Sequence, residues 1–73
     1  MGKLEVASEV TGNVWKVQAK VGQLLFPEDV IVVLESMKME IPVESPAAGT
    51  LSQILVEPEE QVEEDQVVAV IES

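Results

Sequence analysis

An all-β fold, a flattened sandwich of eight short strands in two equivalent halves without helices, is predicted by three features of this sequence. The chain repeats itself: shifted by 37 positions it falls onto itself without a gap. Ser8 meets Ser45, Gly12 meets Gly49, Val30 meets Val67, Val33 meets Val70, and Glu35-Ser36 meets Glu72-Ser73. Valine and isoleucine dominate, aromatics make up only 3%, and no stretch carries a helical period. Gly12, Gly22, Pro27, Pro42, Pro46, Gly49 and Pro58 then punctuate the apolar runs into short segments.

Taken in order, strands are predicted over residues 4–7, 13–20, 23–25, 30–36, 39–44, 51–56, 61–63 and 67–72. In the second of these, Val17, Ala19 and Val21 share one face while Lys16, Gln18 and Lys20 share the other, the alternation of a sheet with one wet side. Residues 30–34 and 67–71 are continuous apolar runs, as the best-buried strands should be. The apolar positions of the halves agree: Val14 with Leu51, Val17 with Ile54, Leu25 with Val62, Ile31 with Val68 and Leu34 with Ile71. Eight short strands in two halves imply two small sheets packed face to face, with residues 1–73 forming a single domain. The repeat also aligns Lys38 with Met1, so a twofold axis would put Lys38 at one tip and both termini at the other.

Composition removes several functions. A chain of 73 residues buries only about 60% of its unfolded surface, so the core is thin. There is no cysteine and no histidine, hence no disulfide framework, no thiolate chemistry and no imidazole acid–base catalysis. A net charge of −10 repels phosphate backbones and anionic membrane surfaces, which argues against nucleic-acid and membrane partners. No apolar run reaches transmembrane length and no leader is evident, so the expectation is a soluble, cytoplasmic module, monomeric in isolation. The acidic stretch Glu57, Glu59, Glu60, Glu63, Glu64 and Asp65 lacks the spacing of a calcium loop and reads as a solvated face.

One segment breaks the local rules. Ser36-Met37-Lys38-Met39 contains no Gly, Asn, Asp or Pro, yet the repeat requires the chain to reverse there. Two of the three methionines flank that single lysine. A reversal built from the wrong residues is the kind of violation expected at a functional site. The bland reading is a lysine solvating a hairpin tip with methionines filling gaps. The sharper one is an exposed primary amine on a rigid loop, open to acylation by a modifying enzyme.

Glu35-Ser36-Met37-Lys38-Met39 resembles the attachment site of the biotin carboxyl carrier family, and Gly12-Asn13-Val14-Trp15-Lys16-Val17 and Gly49 resemble further segments of it. The resemblance covers nearly the whole chain. It implies the biotinyl-domain fold, a barrel-sandwich hybrid, with biotin attached covalently to Lys38 and with Glu35, Ser36, Met37 and Met39 framing the attachment. It further implies a non-catalytic carrier subunit of a biotin-dependent carboxylase. Its biotin would be loaded by a biotin protein ligase, carboxylated from ATP and bicarbonate at a biotin carboxylase, and emptied at a carboxyltransferase. Residues 12–15 with 35–42 lean toward urea-carboxylase-like or standalone bacterial carriers.

The chain departs from that family in three respects. Ser36 stands where Ala is common; Glu28, Glu59 and Asp65 stand in turns where glycine is usual, only Gly22 remaining; and the repeat leaves no room for the protruding loop of some bacterial carriers. If those turns keep positive φ, each non-glycine costs about 1 kcal/mol, Asp65 the least. Trp15 is expected to pack with Val17 and Ala19 on one face, and Phe26 to be exposed in its turn. A lipoyl carrier shares the fold and the hairpin lysine but usually has Asp before the lysine and Ala after it; acceptance of both cofactors is the nearest alternative. An unmodified β-sandwich adaptor is a second, though it gives Lys38 no task. An enzyme acting alone is opposed by the lack of His, Cys and Arg.

Overall fold

Strand propensity and the 37-residue repeat give the architecture of the computed structural model, which describes residues 2–72. The strands are β1 (Lys3–Ala7), β2 (Gly12–Val17), β3 (Leu24–Leu25), β4 (Val30–Ser36), β5 (Met39–Glu44), β6 (Gly49–Ile54), β7 (Gln61–Val62) and β8 (Val67–Glu72). They form two four-stranded antiparallel sheets, ordered β1-β8-β6-β3 and β5-β4-β2-β7. Each sheet takes two strands from each half, so neither half closes alone. The continuous apolar runs are the central strands β4 and β8, with Ile31, Leu34, Val68, Ala69 and Ile71 buried. Leu25 and Leu51 complete the core between the sheets. Each such Leu or Ile contributes about 1.5–3 kcal/mol relative to exposure.

The halves repeat most of their backbone hydrogen bonds. Gly22 N–H donates to the Leu51 carbonyl at 2.7 Å, and its equivalent Glu59 donates to Val14 at 2.7 Å. Glu28 donates to Ser45 at 2.9 Å, and Asp65 to Ser8 at 2.8 Å. Ser8 and Ser45, the two buried polar residues among those described, donate their hydroxyls to the carbonyls of Val10 and Ala47. Even the β-bulges correspond, between Val14 and Lys16 and between Leu51 and Gln53.

Four turns share one design. The carbonyls of Lys20, Phe26, Glu57 and Glu63 accept from the N–H three residues on, at 3.0–3.1 Å. The third residue of each, Gly22, Glu28, Glu59 or Asp65, has φ of 93°, 75°, 73° or 70°. That combination defines a type II turn, and Pro27 and Pro58 occupy its favoured proline position. The fourth residue locks each turn: the side chains of Gln23, Asp29, Glu60 and Gln66 accept from the N–H of the first at 2.9–3.1 Å. Glu28, Glu59 and Asp65 thus keep positive φ, and the locks explain how non-glycine residues persist there.

Three expectations are corrected. β2 ends at Val17 rather than at residue 20, because Gln18 and Ala19 N–H both reach the Ile31 carbonyl and the ladder stops. Ala19 is buried but Val21 is exposed, so the alternation does not run on. The sixth strand is Gly49–Ile54, two residues earlier than residues 51–56, and the first half holds its counterpart at Gly12. Trp15 does not pack with Val17 and Ala19. It occupies the bulge, is 49% exposed, and lies under the Lys16 ammonium, 4.8 Å from the ring centroid. Phe26 is exposed as expected.

The molecule measures 36 × 18 × 18 Å, and the path from Gly12 to Gly22 explains the length. A Cβ on Gly12 would lie 3.3 Å from Ser36 Cβ, at the base of the β4–β5 hairpin. Gly22 bonds Leu51, whose neighbour Thr50 pairs with Glu72 and through it with Lys3. The six residues of β2 carry the chain about 17–20 Å from the hairpin before it reaches the turn at Lys20–Gln23, so the hairpin and the Lys3–Glu72 pair lie towards opposite ends of the long axis. This agrees with the twofold arrangement; Met1 and Ser73 themselves lie outside the described residues. Close approach at Gly12 and Gly49 yields a prediction. An added Cβ would meet the Glu35 carbonyl oxygen at 2.7 Å or the Glu72 carbonyl oxygen at 2.9 Å. Gly12→Ala and Gly49→Ala are each expected to destabilise by about 1–3 kcal/mol in chemical denaturation.

Candidate functional site

Strands β4 and β5 pair down to Ser36↔Met39, leaving Met37 and Lys38 as a two-residue hairpin loop. Their φ values are 52° and 66°, so both residues are left-handed, the type I′ geometry whose twist matches the flanking strands. That geometry normally calls for Asn-Gly; each L residue here costs on the order of 1–2 kcal/mol. Pairing along β4 and β5 and the contact of Gly12 beneath Ser36 hold the turn. Lys38 and Glu35 are exposed, Ser36 is half-buried, and Met37 and Met39 are 91% and 65% exposed. The methionines therefore do not fill gaps in the core. They stand beside the amine as soft apolar surface.

The next row of the sheet is acidic and polar. Glu35 pairs with Glu40 on one side and Asn13 on the other, and Asn13 pairs with Gln61. At the opposite end the equivalent row reads Lys3, Glu72, Thr50, Leu24. One backbone frame thus carries opposite charges in register at one end and like charges at the other. Glu40→Lys, which copies the distal arrangement, is expected to stabilise by about 0.5–1 kcal/mol, a gain that thermal unfolding should show shrinking with added salt.

Chemically, the tip offers one exposed primary amine on a fixed reversal, with no side chain covering it among the described residues. That suits covalent attachment of a carboxylic acid as an amide. In the second half Glu57, Glu59, Glu60, Glu63, Glu64 and Asp65 are all exposed, so the acidic stretch is a solvated face. Sequence reasoning placed Lys38 and its neighbours together, as the structure does. It missed the Glu35–Glu40 pairing, although the hairpin register implied it once Lys38 was put in the turn.

A family model described as "Biotin-requiring enzyme" matches residues 3–71. A "Biotinylated protein TB7.3 homolog" from Mycobacterium leprae is 37% identical over 67 residues, covering 92% of this chain and 94% of its own. A "Biotin/lipoyl attachment protein" from Bacillus subtilis is 35% identical over 51 residues, covering 70% of each chain. A "Putative urea carboxylase" from Emericella nidulans is 43% identical over 61 residues, 80% of this chain; the match spans only 5% of that protein's length. Among solved structures, the Kluyveromyces lactis urea carboxylase superposes with a TM-score of 0.94 at 33% identity, covering 99% of this chain and 6% of that one. Two sheets of the biotinyl-domain type, a hairpin lysine and these matches across almost the whole chain place the protein in the biotin-requiring attachment family, whose cofactor is biotin.

Proposed function

We propose that the protein carries biotin on Lys38 and shuttles a carboxyl group between the biotin carboxylase and carboxyltransferase sites of a biotin-dependent carboxylase. The observation that carries this reading is the Met37-Lys38 turn, in which two L residues adopt positive φ to hold one exposed amine at the far tip of a 36 Å sandwich. Attachment joins the Lys38 Nζ to the biotin carboxyl carbon. Starting from a biotinyl-adenylate, the amide C–N bond forms, the bond to the adenylate phosphate breaks, and a proton leaves the nitrogen. Bound biotin supplies a ring nitrogen that accepts and releases carboxylate. The chain contributes position: a rigid hairpin at one end and attachment to the enzyme from elsewhere keep the cofactor at about millimolar effective concentration. Glu35, Ser36, Met37 and Met39 are read as the surface that the biotin protein ligase recognises. Two carboxylase classes are the partners to test: urea carboxylase, as in the superposing Kluyveromyces lactis structure, and acyl-CoA carboxylase, as in a single-chain, multi-domain long-chain acyl-CoA carboxylase that superposes with a TM-score of 0.88 at 29% identity, covering 94% of this chain and 7% of that one.

The test is carboxyl transfer in trans. Biotin-loaded protein is incubated with a biotin carboxylase, ATP and labelled bicarbonate. Label on the protein, absent without ATP and absent in Lys38→Ala, is the expected outcome. Loaded protein that takes no label from carboxylases of either class would contradict the shuttle role. Loading by a lipoate ligase instead would move the protein to lipoyl chemistry, which the relative named for both cofactors makes the second reading.

A further inference from the structure

The hairpin that carries Lys38 runs past its neighbour strand. The ladder between β2 and β4 ends at Asn13↔Glu35, and beyond it Ser36 pairs with Met39 of the hairpin itself. One more step in that register brings Gly12 opposite Ser36. There the strands close up. A Cβ on Gly12 would stand 2.7 Å from the Glu35 carbonyl oxygen and 3.3 Å from both the Glu35 carbonyl carbon and Ser36 Cβ. A carbon in contact with a carbonyl oxygen keeps about 3.3–3.6 Å, so the base of the hairpin rests on bare glycine backbone. The other side of Gly12 is fixed. Gly12 and Asn13 pair with Val62 and Gln61 of β7. Val14 N–H donates to the Glu60 carbonyl at 2.8 Å, and its carbonyl accepts from Glu59 at 2.7 Å. Under strain β2 is the held side, and the hairpin is the side that yields.

The repeat supplies an internal control. An added Cβ on Gly49 would lie 2.9 Å from the Glu72 carbonyl oxygen, 3.3 Å from its carbon and 2.6 Å from Ile71 Cγ2. Gly49 is likewise backed by an edge strand, through Leu25↔Gly49 and Leu24↔Thr50. It lies at the end of Lys3 and Glu72, away from Lys38. Close approach is therefore common to both halves, and Gly12 alone has the attachment turn built on it.

We propose that Gly12 is a positioning residue for the attachment reaction: its missing side chain lets Glu35 and Ser36 settle onto β2, which sets the height and tilt at which Lys38 is presented. This inference rests on the biotin reading of Lys38. Met37 follows Ser36 directly, so a displaced base displaces the turn. Relieving the contact with the Glu35 oxygen takes about 0.6 Å or more. Lys38 lies beyond Glu35 along the hairpin, so a tilt about the Val14↔Leu34 pair grows to about 1 Å or more at the tip. A reacting group misplaced by that much loses on the order of 100-fold, of which the flexible lysine stem recovers part.

The test is the kinetics of biotin transfer by a biotin protein ligase to wild type, Gly12→Ala and Gly49→Ala, beside amide NMR of the unmodified proteins. Both variants lose stability, and a smaller folded fraction raises the apparent KM for either one without lowering kcat. An osmolyte is added to keep each sample folded by circular dichroism. The expected result is a kcat about tenfold or more below wild type for Gly12→Ala and within about twofold of wild type for Gly49→Ala. Amide shifts at Met37, Lys38 and Met39 are expected to move in Gly12→Ala and to stay in place in Gly49→Ala. Equal kcat losses in the two variants, a wild-type kcat in Gly12→Ala, or a Gly12→Ala that stays unfolded in osmolyte where Gly49→Ala folds would overturn the proposal. Wild type that takes no biotin would sink the biotin reading instead, and the amide shifts would then decide whether Gly12 seats the turn.

Discussion

Exchanging the two turn residues, Met37→Lys with Lys38→Met, is expected to slow biotin attachment by about 100-fold or more while leaving the fold intact. Both positions are exposed and both have positive φ, so the swap keeps an accessible lysine in the same type I′ turn. Only the amine's direction and its flanking methionines change, and misplacing a reacting group by an ångström or more costs on the order of 100-fold. A ligase assay read by mass, beside thermal unfolding, checks both halves of the expectation. The companion variant, Met37→Asn with Lys38→Gly, installs the preferred I′ residues and is expected to raise stability by about 1–3 kcal/mol while abolishing attachment. A gain in stability at the cost of the amine is what a strained functional turn should show.

Replacing the three acidic turn residues together, Glu28→Gly, Glu59→Gly and Asp65→Gly, is expected to stabilise the protein by about 1.5–3 kcal/mol. Each residue sits at φ of 70° to 75°, where a Cβ costs about 1–2 kcal/mol; the greater unfolded-state freedom of glycine returns about 0.5–1. For a chain this short the sum corresponds to about 6–24 °C in unfolding midpoint. Charge changes too, since three acids are removed from a chain at −10. Glu28→Gln, Glu59→Gln and Asp65→Asn together separate the effects, because they remove the same three charges and keep a Cβ at each position. If backbone strain is the main cost, the glycine variant gains clearly more than this one. If charge is the main cost, the gain disappears in high salt.

The repeat made most of this architecture legible. Matched glycines, serines and apolar positions 37 apart implied equivalent halves, and β4, β5 and β8 fall where the apolar runs begin and end. The hairpin was legible through contradiction: a reversal was required where no turn residue stood, and the structure resolves it with two left-handed residues at Met37 and Lys38. What sequence did not disclose depends on the ladder. A bulge after Val14 turned Trp15 outward, and a shared carbonyl at Ile31 ended β2 early. Neither event leaves a signature in residue type, since Trp-Lys-Val reads equally well as regular strand. The Glu35–Glu40 pairing follows from the hairpin register alone, whereas the exposure of Leu24 on an edge strand needed strand order, which only folding across the two halves supplies.

Intact mass after reaction with a biotin protein ligase, biotin and ATP tests the central claim most directly, with wild type beside Lys38→Arg. The account requires a single biotinoyl adduct on wild type and none on Lys38→Arg, although Lys3, Lys16 and Lys20 remain in both. An adduct that survives in Lys38→Arg, or folded wild type that takes none, would contradict it.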